Sequence, residues 1–312
     1  MRPLALFAFI AILLGCFACS TGGKAPTPTN RFYTDGARAL TAGDQLATRG
    51  CTQGAVENYF KAVELFTLSD DQGALATCFN NIGTLYLGAG KSADALHYYT
   101  EALELHTRNG SLEGKVRVLT NRAAAHLAED SPDKAEEDLT QAESLSAQGE
   151  LSWPQTRIAQ ANLRLHKGEA QEALNRLLEV DASLTAPEEA LSASLHFALG
   201  RGYFALTRYE DALGHFSRAL TVDRKRGALR LMVTDLREMG RTLTAMEQPS
   251  EAAWHLERGL RISALLGAET EHKDLQNMLN NLTDAAEGAP SAVTGYFLER
   301  WANGESFAAP CN

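Results

Sequence analysis

Small and large side chains recur along this chain at an even, long interval. Alanines at Ala55, Ala95, Ala135, Ala173, Ala212 and Ala252 stand 40, 40, 38, 39 and 40 residues apart. Four residues after each comes Tyr59, Tyr99, Leu139, Leu177, Phe216 or Leu256, and seven after comes Ala62, Ala102, Ala142, Val180, Ala219 or Gly259. Twelve residues before them stand Gly43, Gly83, Ala123, Ala161, Gly200 and Gly240. Offsets of four and seven put the later three on one helical face. Small residues let helix axes approach closely, and the large one fills the gap against a neighbour. A repeat of this size means stacked copies of one supersecondary unit. The fold class expected is all-α, a solenoid of antiparallel helix hairpins.

The turn residues agree with that phase. Pro132 and Pro249 each lie three residues before their alanine, where a second helix would begin, and proline suits the first helical turn. Ser131 is placed to cap the first of these. Gly88-Ala89-Gly90-Lys91 sits where a first helix must turn into a second, and it lacks the spacing of a phosphate-binding loop.

The small, small, large, small pattern resembles the tetratricopeptide repeat. Its best copies are Asn81-Ile82-Gly83-Thr84-Leu85-Tyr86 leading to Ala95, Tyr99 and Ala102, and Leu199-Gly200-Arg201-Gly202-Tyr203 leading to Ala212, Phe216 and Ala219. The units are longer than the family's usual 34 or so residues, and His126 and Arg164 stand where an aromatic is expected. The resemblance implies a right-handed superhelix whose first helices line a concave groove. Carried over by position, it offers Asn80, Thr84, Arg117, Arg201, Arg237 and Arg241 as groove residues. Leu87, Leu127, Leu165 and Phe204 would form an apolar stripe beside them. Asn81 and Asn121 share a position at which related long-repeat proteins hold a ligand's backbone.

The first residues read as an export signal. Arg2 precedes an apolar run from Leu4 to Leu14, too short to span a bilayer. Leu13-Leu14-Gly15-Cys16 resembles the lipobox of bacterial lipoproteins, which implies acylation of Cys16. Cys19 fits the same role less well, and an ordinary signal cleaved near Ala18 is the alternative. Phe17 after Cys16 implies, by the same resemblance, an outer-membrane anchor facing the periplasm. Ser20 to Asn30 has no apolar face and reads as a tether.

These readings divide the chain into a lipoprotein signal at 1–15, an anchor and tether at 16–30, and six repeats at 31–264. A degenerate seventh repeat or capping hairpin follows at 265–302, built around Leu275, Leu279, Leu282, Ala292 and Tyr296, then a mobile tail at 303–312. A Cys51–Cys78 disulfide is not expected, because the repeat phase puts the two at opposite ends of one helix, beyond the ~7 Å Cα reach of a bridge.

Composition narrows the function. The net charge of −10 opposes nucleic-acid binding. The eight histidines are scattered and none is paired at metal-ligand spacing; His215 and His255 share a repeat position, which suggests a common surface environment. Arg224-Lys225-Arg226 reads as a solvated turn. With no nucleophile–base pair or catalytic motif in view, the expectation is a protein that is not an enzyme and needs no cofactor, metal or small-molecule substrate. The function expected is a protein–protein interaction scaffold of the bacterial cell envelope, holding a peptide or protein in its groove. The alternative is an envelope assembly factor, pilotin-like, acting through its convex face or terminal hairpin. Arg201, Arg237 and Arg241 would clamp a carboxylate, unless this acidic protein's own carboxylates take them.

Overall fold

A computed structural model describes residues 30–283, 292–303 and 311. All regular structure among the described residues is helical. The helices pair into hairpins: α1 (Arg31–Thr48) with α2 (Thr52–Leu68), α3 (Gln72–Gly88) with α4 (Ser92–Arg108), and α5 (Leu112–Ala128) with α6 (Pro132–Gln148). Then come α7 (Pro154–His166) with α8 (Ala170–Ser183), α9 (Glu189–Ala205) with α10 (Tyr209–Arg226), and α11 (Leu229–Ala245) with α12 (Pro249–Leu266). Finally α13 (Glu269–Thr283) packs on α12, as does α14 (Ala292–Ala302). Each hairpin packs on the next, so the fold is the expected all-α solenoid.

The six recurring alanines are fully buried, and so in effect are the large residues four positions on. The small residue twelve positions earlier faces that large one across the hairpin. A methyl group added at Gly43 would lie 2.5 Å from the Tyr59 ring; at Gly83, 2.8 Å from Tyr99; at Gly200, 2.6 Å from Phe216. Where the small residue is instead alanine, as at Ala123 and Ala161, the residue facing it is the slimmer Leu139 or Leu177. Gly240 with Leu256 departs from this trade, the leucine lying 2.6 Å from where a methyl would be.

Turns are set by left-handed residues about 20 apart, with positive φ at Gly50, Asp70, Gly90, Gly110, Asp130 and Glu150. The glycine of Gly88-Ala89-Gly90-Lys91 is therefore a helix stop, at φ +73. Pro132 and Pro249 open their helices as expected. Ser131 precedes α6, but its hydroxyl donates to the Glu129 carbonyl instead of capping. In the third unit the missing aromatic is replaced by a polar cluster. Arg122 makes two hydrogen bonds to buried Asp138, 2.6 and 2.8 Å, and His126 lies 3.7 Å from the same carboxylate.

The curvature brings distant turns together. Gly50 and Cys51 are buried, and Leu266 lies beside Gly50. Arg230 of α11 donates 2.7 Å to the carbonyl of Gly88, 142 residues away, and pairs with Glu271. Cys51 is disulfide-bonded to Cys311, with Cα atoms 5.3 Å apart and a sequence separation of 260. Cys78 is a buried free thiol, its pKa pushed up to about 12 by burial and by Asp44. The tail expected to be mobile thus carries, at Cys311, a covalent link to the first hairpin. No described helix is long and apolar enough to cross a membrane. Cys16 and Cys19 lie outside the described residues.

Candidate functional site

The first helices of the hairpins carry the residues the sequence points to, and they fall into two groups. In the N-terminal half, side chains are tied to one another. Asn121 donates to Asn80 (2.9 Å), Asn80 to Asn81 (3.1 Å), and Asn81 to Asp44 (2.9 Å). Tyr59 also donates to Asp44, at 2.7 Å. Burial, then the Asp44 carboxylate, holds the Tyr59 phenol far above its ordinary value. Asn80 is buried within this chain of amides, which runs across three repeats. Asn81 and Asn121 therefore spend their amide groups inside the protein. Thr84 is exposed; it donates to the Asn80 carbonyl and accepts from Tyr99. Arg117 pairs with Glu113 one turn away and lies 5.5 Å from the Trp153 ring.

The C-terminal half differs in its charge balance. Arg237 donates to Glu238 (3.1 and 3.2 Å) and lies 3.3 Å from Asp274. Arg241 bonds the other oxygen of Glu238 at 3.1 Å and stacks 4.1 Å over the Phe204 ring. Buried Glu238 is thus shared by two guanidiniums. Arg201, on α9, has only a 3.3 Å hydrogen bond to the amide oxygen of Asn162. It has no carboxylate within ion-pair distance among the described residues, and its side chain reaches solvent. Protein ringing the groove strips part of its hydration and lowers its pKa. Glu238 offsets this, while Arg241 and Arg237 add to it. The expectation that the protein's own acids absorb the arginines holds for Arg237 and Arg241 and fails for Arg201.

Beneath this cluster lies a cavity of about 210 Å³ between α7, α9, α10 and α11. Ile158, Phe197 and Leu231 give it apolar walls, and Asn162, Asp223 and Asp235 give it polar ones. Asp223 is paired with Arg226 at 2.7 Å. Asp235 is 2% exposed, and its Oδ2 has no hydrogen-bond partner. Burial first, then Asp223 and Glu238, pushes its pKa up to about 8. Sequence reasoning missed Asp235. The available signal was a carboxylate set among Met232, Leu236 and Met239, on the stripe that buries α11. The basic run at 224–226 is also less solvated than expected, since Arg226 turns inward to Asp223.

The histidines form no metal centre: no cluster of three or more His, Cys, Asp or Glu with ligating placement occurs among the described residues. His215 and His255 are half-buried, not surface residues, and burial pushes both down to about 4.

Residues 37–108 match the family model described as tetratricopeptide repeat. A 132-residue stretch is 28% identical to the photosystem I assembly protein Ycf3 of Cyanophora paradoxa, covering 42% of this chain and 67% of that one. The fold is similar to that of NprR in complex with its cognate peptide NprX, at 18% identity and a TM-score of 0.57, over 88% of this chain and 79% of the other. It is also similar to the Rap conjugation gene regulator of the plasmid pLS20 in complex with a Phr peptide, at 12% identity and a TM-score of 0.56, covering 91% and 81%.

Proposed function

We propose that this tetratricopeptide-repeat chain binds a peptide or an extended segment of a protein partner in its concave groove, with no catalytic step of its own. The observation that carries this is Arg201, a solvent-reaching guanidinium without a carboxylate, flanked by Arg237 and Arg241. A guanidinium that reaches solvent and lacks a paired carboxylate among the described residues favours a bidentate carboxylate from outside. Two solved proteins of the same fold are complexes with peptides, which is consistent with this use of the groove.

The reading extends to location. The chain is anchored by lipid on Cys16, or less favourably Cys19, in the outer membrane of a bacterium and faces the periplasm. Two or more acyl chains would make that attachment lasting, since one alone holds only marginally. The Cys51–Cys311 disulfide supports an exported protein, because such bonds persist in oxidising compartments and are rare in the cytosol.

The test uses an array of peptides presented with free or amidated C-termini, probed with the purified chain. Binding should favour free carboxylates, and Arg201→Glu should weaken the selected peptides by about 10-fold or more, the ~1.4 kcal/mol or more expected for a lost charged hydrogen bond. Selected peptides that bind Arg201→Glu as well as the parent would remove the groove reading. Radiolabelled palmitate should enter the parent and not Cys16→Ser; labelling that survives in Cys16→Ser but not in Cys19→Ser moves the anchor to Cys19.

A further inference from the structure

We propose that the cavity under the groove, between α7, α9, α10 and α11, receives an ammonium-tipped side chain or free amino group of the bound ligand, with Asp235 as its counter-charge. This deepens the peptide-binding reading and rests on it. Three carboxyl groups sit together here: Asp223, Asp235 and Glu238. Arg226 answers Asp223, and Arg237 and Arg241 answer Glu238. Among the described residues no basic group pairs with Asp235, although it is the least exposed of the three, and its Oδ2 makes no hydrogen bond. An unpartnered buried carboxyl is costly and rare in a folded protein.

The cavity supplies the room and the shape. Its walls of Ile158, Phe197 and Leu231 suit an alkyl stem, and its carboxyl suits a donor at the tip. At about 210 Å³ it is large enough for one long side chain and too small for a folded element. It is lined by Asn162, whose side-chain oxygen also accepts from Arg201, so the two features adjoin. Among the described residues the groove thus holds a guanidinium without a carboxylate and a carboxyl without a basic partner. A segment carrying both a carboxylate and an amine satisfies both at once.

Burial and then its acidic neighbours raise the Asp235 pKa to about 8, so the carboxyl is largely protonated near neutral pH. The charged groups that act on it are Asp223 of α10 and Glu238 of α11; Arg226 is bonded to the first, and Arg237 and Arg241 to the second. An entering ammonium would favour the carboxylate, so binding would release a proton and tighten as pH rises.

The probe is n-butylammonium, added to the full-length chain with methyl-labelled Ile and Leu, with 1-butanol as the neutral comparison. Saturable shifts of the Ile158 and Leu231 methyl signals are expected at millimolar concentration, as suits about five heavy atoms. Binding of the amine should tighten by more than about 10-fold between about pH 6 and about pH 8.5, a change above ~1.4 kcal/mol, while butanol stays flat. Asp235→Asn should remove that tightening. Equal binding of amine and alcohol by the parent at every pH would overturn the proposal, and so would an undiminished amine preference in a folded Asp235→Asn. The parent's own pH series decides the matter if that variant does not fold. Peptide binding by Arg201→Glu and butylammonium binding by the parent are read in separate titrations, so failure of the groove reading and failure of this cavity are distinguishable.

Discussion

Replacing Gly200 with alanine tests the packing rule that builds every hairpin. The added methyl would meet three atoms of the Phe216 ring at 2.6, 2.7 and 2.9 Å. Ordinary contact begins near 3.4 Å, and Phe216 is fully buried, so its ring has no open space to swing into. Overpacking of this kind costs about 1–3 kcal/mol. Alanine regains about 1 kcal/mol of helix propensity over glycine, which leaves a net loss of about 0–2 kcal/mol for Gly200→Ala. Phe216→Leu alone opens a gap and costs a similar ~1–2 kcal/mol. The double variant copies the Ala123–Leu139 and Ala161–Leu177 pairs already present in the third and fourth units. It should therefore lose less than either change predicts by addition, with a coupling of about 1–2 kcal/mol in its favour. Solenoids unfold piecewise, so a single global midpoint is a poor measure. Amide hydrogen exchange over α9 and α10 reads the loss locally, and ~2 kcal/mol appears there as a roughly 30-fold change in protection. Strict additivity of the two single variants would refute the claim that glycine stands there to admit the ring.

Three further perturbations follow from particular residues. Cys51→Ser should release the closure that spans 260 residues; loop entropy sets a ceiling on the order of 5 kcal/mol for its contribution. Thermal melting should fall in the variant and become insensitive to reductant, and a parent whose melting ignores reductant would contradict the assignment. Thr207 is a β-branched residue held at φ +59, so Thr207→Gly should gain about 1 kcal/mol, seen as a later urea transition of the α9–α10 region. Asp235 has a folded pKa raised to about 8, against about 3.9 when unfolded. Its contribution is full below pH ~4 and is lost as pH rises toward ~8, at up to about 1.4 kcal/mol per pH unit. His215 and His255, pushed down to about 4, act in the opposite sense, stabilising above about pH 6.5 and losing that contribution as pH falls toward 4. The difference between Asp235→Asn and the parent isolates the aspartate: the variant should gain on the parent steadily from about pH 4.5 to about pH 7.5. A gap that stays constant over that range would mean the carboxyl does not titrate as proposed.

The amino-acid sequence alone determined the hairpins, because everything that makes them is local. The notch at Gly200, the ring at Phe216 and the seat at Ala212 lie within seventeen residues of one chain, and period and side-chain size suffice to read them. Even the exchange of Gly–aromatic for Ala–Leu pairs is visible in the aligned units. What only the tertiary structure decided is where each charge finds its partner. Arg201, Arg237 and Arg241 look alike in sequence, yet Glu238 takes two of them and leaves the third. Asn80, Asn81 and Asn121 look like free ligand-holding amides until the stacking of three repeats ties them to Asp44. Cys51 and Cys311 stand 260 positions apart in sequence, and only the folded chain brings their Cα atoms within 5.3 Å. Hydrophobic burial follows a pattern that one helix can display by itself. Pairing, and the failure to pair that marks Arg201 and Asp235, depends on distances across helices far apart in sequence, which no local pattern carries.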